Sequence, residues 1–320
     1  MIRKLVFVLT GLAFAQSQDV KAFMDVDYEA DGAQNLKWAV EVYEYSNGQP
    51  QHSCGGSLVT PTAVISAARC FWAKGEQKSA SNLVVARTYG GIGVGTDWNT
   101  VQTAKVRTIH LPLSYKDSEG LYANDIAVLI LEEPMRGVMP ICINFDKVME
   151  EKHLTEGNFG RNMGTLQLAG YGLPSPLFTA LEVPYVPEDR CKQYSDLFRE
   201  QLTADKICTG FKPGPGNKPE SLICRGDHGS GLVFYSGTEW NAIPYLRGVA
   251  STPFPGPTGP YGTYSSCSTY RYAAFTRISS HRRFLEHHLP GIEDKCAQYY
   301  KTNTVNIECD CNCKNNTTSE

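Results

Sequence analysis

Three short stretches carry side chains that could move protons or attack a substrate. Cys224-Arg225-Gly226-Asp227-His228-Gly229-Ser230-Gly231 sets an imidazole two residues from a hydroxyl on a glycine-rich turn. Asn124-Asp125 places a carboxylate ahead of the apolar run Ile126 to Leu131, and Val64-Ile65-Ser66-Ala67-Ala68-Arg69-Cys70 leads an apolar run into a guanidinium. Nucleophilic hydrolysis needs a nucleophile, a base within hydrogen-bond reach, and a group that orients the base. His228 as base and Ser230 as nucleophile are one candidate pairing, but residues two apart on a tight turn generally point to different places. Arg69 cannot serve as the base, because a guanidinium stays protonated and has no lone pair to offer.

Those stretches sit in a strand-rich chain. Short apolar runs recur between glycine and proline turn signals: Trp38-Ala39-Val40, Ser57-Leu58-Val59, Ala63-Val64-Ile65, Asn82 to Val85, Ile126 to Leu131, Leu166-Gln167-Leu168 and Gly231 to Phe234. Many short strands of this kind indicate an all-β sandwich or barrel. The spacing of Phe284, Leu285 and His288 predicts a helix near the end, capped by Ser279 or Ser280 and stopped by Pro290. Residues 291–320 change character to a short polar, cysteine-rich tail with Cys309-Asp310-Cys311-Asn312-Cys313.

Bulk chemistry bounds the compartment and excludes some partners. Arg3 and Lys4, the apolar stretch Leu5 to Ala15, and Ala13-Phe14-Ala15 read as a signal peptide over residues 1–15, with a mature start near Gln16. No later apolar run is long enough for a transmembrane helix. Export and 11 cysteines imply an oxidising, extracellular compartment with a disulfide framework. Asn315 and Asn316 each open a glycosylation acceptor, which suits secretion. A net charge of −3 and the lack of a basic stripe with interleaved aromatics argue against a nucleic-acid partner.

Together the three chemistry-bearing stretches resemble, in order and separation, the histidine, aspartate and serine blocks of the trypsin/chymotrypsin serine proteases. Ser53-Cys54-Gly55-Gly56-Ser57-Leu58, Ala169-Gly170-Tyr171-Gly172 and Phe275-Thr276-Arg277-Ile278 match that family as well. The resemblance implies two six-stranded antiparallel β-barrels with a cleft between them, a terminal helix, and a trypsin-like domain over residues 36–290. Residues 16–35 then form a short N-terminal segment. It also implies the disulfides Cys54–Cys70, Cys191–Cys208 and Cys224–Cys267. Cys142, Cys296, Cys309, Cys311 and Cys313 are left over. Cys142 could reach Cys296 or the tail, and the odd count leaves room for a disulfide-linked oligomer. A metal site in the Cys-x-Cys-x-Cys run ranks below disulfides in a secreted chain, and no cofactor is expected.

Set against the family pattern, the chemistry changes. Arg69 stands at the histidine position and His228 at the serine position, leaving only Asp125 of the triad. Loss of nucleophile or base from such a triad costs about a millionfold in turnover. An ion pair between Arg69 and Asp125 is the structural role expected of the arginine. Leu222 occupies the place of the specificity-pocket floor, where it would not attract a basic side chain. Ser251-Thr252-Pro253 matches the strand that pairs with substrate, and Pro253 lacks an N–H for that pairing. No Ile-Val-Gly-Gly-like activation start appears near Asp25-Val26-Asp27-Tyr28, so Asp227 needs a partner other than a new amine. The expectation is a non-enzyme, a secreted protease homologue that binds extracellular proteases, inhibitors or substrates as cofactor, adaptor or decoy. The alternative is a serine-type hydrolase with relocated catalytic groups.

Other motifs carry less. Arg225-Gly226-Asp227 spells an integrin-binding tripeptide, but the family framework already supplies its Gly-Asp. Gly90-Gly91-Ile92-Gly93-Val94-Gly95 lacks the lysine and the strand–loop–helix setting of a phosphate loop. Adjacent His287 and His288 do not face each other on a helix.

Overall fold

The computed structural model describes residues 36–46, 48–87, 97–156, 166–170, 179–193, 196–210, 227–237, 242–252, 272–293 and 296. In the first half these form β1 (Ala39–Ser46), β2 (Gln49–Thr60), β3 (Ala63–Ser66), the small hairpin β4 (Trp72–Ala73) and β5 (Glu76–Gln77), β6 (Leu83–Arg87), β7 (Gln102–His110) and β8 (Ala127–Leu131). The second half adds α1 (Lys147–Glu156), β9 (Leu166–Gly170), β10 (Thr179–Glu182), α2 (Glu188–Lys192), α3 (Asp196–Gln201), β11 (Lys206–Gly210), β12 (Gly231–Ser236), β13 (Ile243–Thr252), β14 (Tyr272–Arg277) and α4 (Arg282–His288).

Strands β1-β2-β3-β8-β7-β6 close into a barrel, and β10-β9-β12-β13-β14-β11 form a curled six-stranded half-barrel. Every strand pairing in both is antiparallel. Side-chain alternation explains the inward faces. Along β7, Ala104 and Val106 point in, a register shift falls between Val106 and Thr108, and Ile109 rather than Thr108 is buried next. The bulge resets the phase, so the β-branched isoleucine reaches the core and the threonine reaches water. Strand β8 is apolar throughout and buried at every position but Ile130. One apolar core runs from Trp38, Leu58, Ile65 and Leu129 of the first barrel through Val233, Leu246 and Val249 to Leu285 of α4. A separate core holds Leu154 of α1 against Leu166, Leu181, Phe234 and Phe275.

Two expectations about helices need correction. The terminal helix begins at Arg282, after a 3₁₀ turn formed by Ser279–His281, and His281 is its N-cap without a side-chain capping bond. Neither Ser279 nor Ser280 caps it, because both are already inside the preceding turn. Three further helices, α1, α2 and α3, fall where no helix was expected. Disulfides join Cys54 to Cys70, Cys191 to Cys208, and Cys142 to Cys296.

Candidate functional site

The site lies where the first barrel meets the half-barrel. After β3 the chain turns through a 3₁₀ helix, Ala68–Phe71, with Cys70 bonded back to Cys54. This turn aims the backbone N–H of Arg69 at Asp125 Oδ1, 2.8 Å away. The guanidinium goes elsewhere: it donates to the carbonyl of Ser251 at 2.5 Å and lies 4.4 Å over the ring of Tyr122. The segment before Asp125 is held in an unusual backbone shape, with Asp117, Leu121, Tyr122 and Asn124 all at positive φ. Non-glycine residues adopt that region at a cost of about 1–2 kcal/mol each, so the surroundings must impose it. Turn bonds from Tyr122 N–H to Asp117 and from Ala123 N–H to Gly120 contribute.

Asp125 is fully buried, and burial pushes its carboxyl up against the pull of Lys206 and Arg69. Its second oxygen accepts from the hydroxyl of Ser251 at 2.7 Å. That hydroxyl in turn accepts from Lys206 Nζ at 3.0 Å. Lys206 also donates to the carbonyl of Tyr122 at 2.7 Å and to Thr276 Oγ1 at 2.8 Å. Three acceptors match the three hydrogens of an ammonium. Burial lowers its pKa, and the Asp125 and Asp205 carboxylates oppose that shift.

Asp205, the neighbour of Lys206, grips the same loop from the other side. Its carboxylate accepts from the N–H of Asn124 at 2.8 Å, from Thr203 Oγ1 at 2.5 Å, and faces His281 Nε2 at 3.2 Å. Burial acts to raise its pKa, but His281, Lys206, Thr203 and the Asn124 amide together hold the carboxyl well below the usual range.

The turn from Asp227 to Gly231 packs on β2. Gly55 N–H donates to the carbonyl of His228 at 2.7 Å, and Gly229 N–H donates to that of Ala250 at 2.8 Å. Contact is close enough that a methyl group on Gly55 would fall 2.1 Å from Ser230 Oγ. Ser230 is therefore buried against the first barrel, and His228 is nearly so.

Of the residues singled out from sequence, the structure brings Arg69, Asp125 and Ser251 together. Asp227, His228 and Ser230 stand on the neighbouring turn, and Thr252 continues β13 in register with Ala274. Leu222, Cys224, Arg225, Gly226, Pro253, Cys267, Cys309, Cys311, Cys313, Asn315, Asn316 and the loop 90–95 lie outside the described residues. The expected ion pair between Arg69 and Asp125 is replaced: Asp125 takes the arginine's backbone N–H, and the guanidinium reaches Ser251 instead. Sequence reasoning missed Lys206. Its signal was a lysine opening the strand Lys206-Ile207-Cys208-Thr209-Gly210, in which every residue is buried. Among the described residues no group of three or more His, Cys, Asp or Glu side chains could hold a metal ion. No helix among them is long and apolar enough to cross a membrane.

Comparison with known proteins gives the lineage. The trypsin family profile matches residues 27–282. The chain is 30% identical to a Drosophila melanogaster protein named modular serine protease over 232 residues, 68% of this chain and 34% of that protein. It is 27% identical to coagulation factor IX of Cavia porcellus over 228 residues, 70% of this chain and 72% of that one. The chain thus spans about a third of the length of the fly protein. A closed six-stranded barrel, a curled half-barrel, a short C-terminal helix and a match over most of the sequence place this chain in the trypsin family.

Proposed function

We propose that this chain is a secreted, non-catalytic trypsin-family protein that acts by binding other extracellular proteins, as cofactor, adaptor or decoy in a proteolytic pathway. The observation that carries the reading is the placement of Arg69. A permanent cation stands beside Asp125, where a triad needs a base, and spends its guanidinium on the Ser251 carbonyl and the Tyr122 ring. His228, at the position the family resemblance gives to the nucleophile, carries an imidazole in place of a hydroxyl. The three disulfides among the described residues and the relatives suit an extracellular setting.

Relocated catalysis finds little support. Ser230 is packed on Gly55 rather than open to a substrate. Ser251 and Lys206 form a hydroxyl–amine pair, but Ser251 is fully buried and gives its proton to Asp125, and Lys206 donates to three acceptors.

The test is to treat the purified secreted protein with a fluorophosphonate probe and a broad panel of peptide esters. No labelling and no turnover are expected. Labelling at Ser230 or Ser251 sinks the reading. The double variant Arg69→His/His228→Ser is expected to recover little activity, because Pro253 still lacks an N–H for the substrate strand and no Ile-Val-Gly-Gly-like start lies near Asp25.

A further inference from the structure

Helix α1 docks on the half-barrel through charged and polar groups. Arg247 of β13 is fully buried, and its Nε and Nη2 lie 3.0 and 2.8 Å from Nδ1 of His153 on α1. A guanidinium only donates, so Nδ1 must be the unprotonated, accepting nitrogen of a neutral ring. The remaining terminal nitrogen of Arg247 donates to the carbonyl of Asn144 at 2.8 Å. The imidazole stacks on Phe234 of β12 at 4.1 Å and tilts against Tyr245 of β13 at 5.2 Å.

The charges acting on His153 are both positive: Arg247 from β13 and Lys152 from its own helix. From β12 and β13 the aromatic rings of Phe234 and Tyr245 face it. Asp146 and Glu150 act on Arg247 rather than on the histidine. Glu150 also pairs with Arg277 of β14, and its second oxygen is buried without a hydrogen bond. Burial, then Arg247 and Lys152, pull the imidazole down to about 3.

We propose that α1 is an acid-released latch, in which a proton on His153 Nδ1 removes the acceptor for Arg247, sets two cations against each other and undocks the helix. Departure of α1 withdraws Leu154, which is packed with Phe234, Leu166 and Leu181, and so uncovers an apolar surface on the half-barrel. The sign follows from proton linkage. Docked His153 resists a proton that the released residue binds with an ordinary value of 6.5. The docking equilibrium therefore weakens by up to about tenfold for each pH unit below that value and recovers above it.

The experiment is hydrogen exchange read by mass spectrometry on the intact, disulfide-bonded protein at pH 7.5 and 5, corrected for intrinsic exchange. Protection in 147–156 is expected to drop at least about tenfold at pH 5, while β3 and β8 keep theirs. The His153→Asn variant keeps an acceptor near Nδ1 without a titrating group, and its α1 protection is expected to be equal at both pH values. Loss of protection in α1, β3 and β8 together, or unchanged protection in α1 of the native chain, overturns the latch. So does a full wild-type response in a folded His153→Asn protein. Should that variant fail to fold, the contrast between α1 and β3 in the native chain decides alone.

Discussion

The ε-ammonium of Lys206, on the first residue of β11, lies 2.7 Å from the carbonyl of Tyr122, in the loop that delivers Asp125 from the other barrel. It reaches Asp125 as well, through the hydroxyl of Ser251. One buried cation thus joins the strained loop of the first barrel to two strands of the half-barrel.

Lys206→Met leaves the carbonyl of Tyr122 and a buried carboxylate without their cation. Removing one member of a buried charge pair costs about 3–5 kcal/mol, and a loss of that size is expected in urea unfolding. Adding Asp125→Asn to Lys206→Met is expected to recover part of it, since the stranded charge is then gone. Strict additivity of the two single variants would show that the residues are not coupled.

Asp205→Asn tests the acid limb. A carboxyl held below its ordinary 3.8 adds stability that is fully present above that value and disappears as pH falls toward its folded pKa. At pH 7 the variant is expected to lose about 1.5–3 kcal/mol, the worth of charge-assisted hydrogen bonds. Thermal melts from pH 5 to 2 should show wild type falling toward the variant, with the variant flatter.

Gly229→Ala meets two obstacles at once. The residue sits at φ +83°, and a methyl group there would lie 2.3 Å from Ser66 Oγ and 2.4 Å from the carbonyl of Gly55. Left-handed strain plus overpacking predicts a loss of about 2–5 kcal/mol. Thermal unfolding measures it, and a melting temperature equal to wild type would mean that the turn can lift off β2 freely.

Cys142 and Cys296 are 154 residues apart, so their bond closes a long loop. Replacing both with alanine is expected to cost about 2–5 kcal/mol, chiefly by freeing the unfolded chain. The backbone bonds from Cys142 N–H to Pro244 and from Leu246 N–H to Cys142 do not depend on the sulfurs. Amide protection of Leu246 should survive in the double variant.

Strands β1, β2, β3, β6, β8, β9 and β12 were legible from sequence because apolar runs and turn residues mark them directly, whereas β7, β10 and β11 fall outside those runs. Helix α1 was not, since its buried residues are Glu150, His153 and Leu154, and no apolar stripe betrays a helix that docks through one leucine beside hydrogen bonds and an ion pair. Arg69 and Asp125 were correctly placed side by side, but which atoms of the arginine would meet the carboxylate depended on a 3₁₀ turn invisible in the residue pattern. Lys206 escaped because its acceptors, Tyr122, Ser251 and Thr276, come from three distant parts of the chain.

Side by side on one strand opening, Asp205 and Lys206 hold the Asn124 N–H and the Tyr122 carbonyl of the same loop, one as anion and one as cation. Because both grips are partly buried, added salt should screen them less than it would an exposed pair. Any protein that contacts this loop therefore meets a backbone already held at Tyr122 and Asn124. Its capture would give up little conformational freedom on this side of the interface, so differences in affinity between such proteins would arise mainly in how fast they leave.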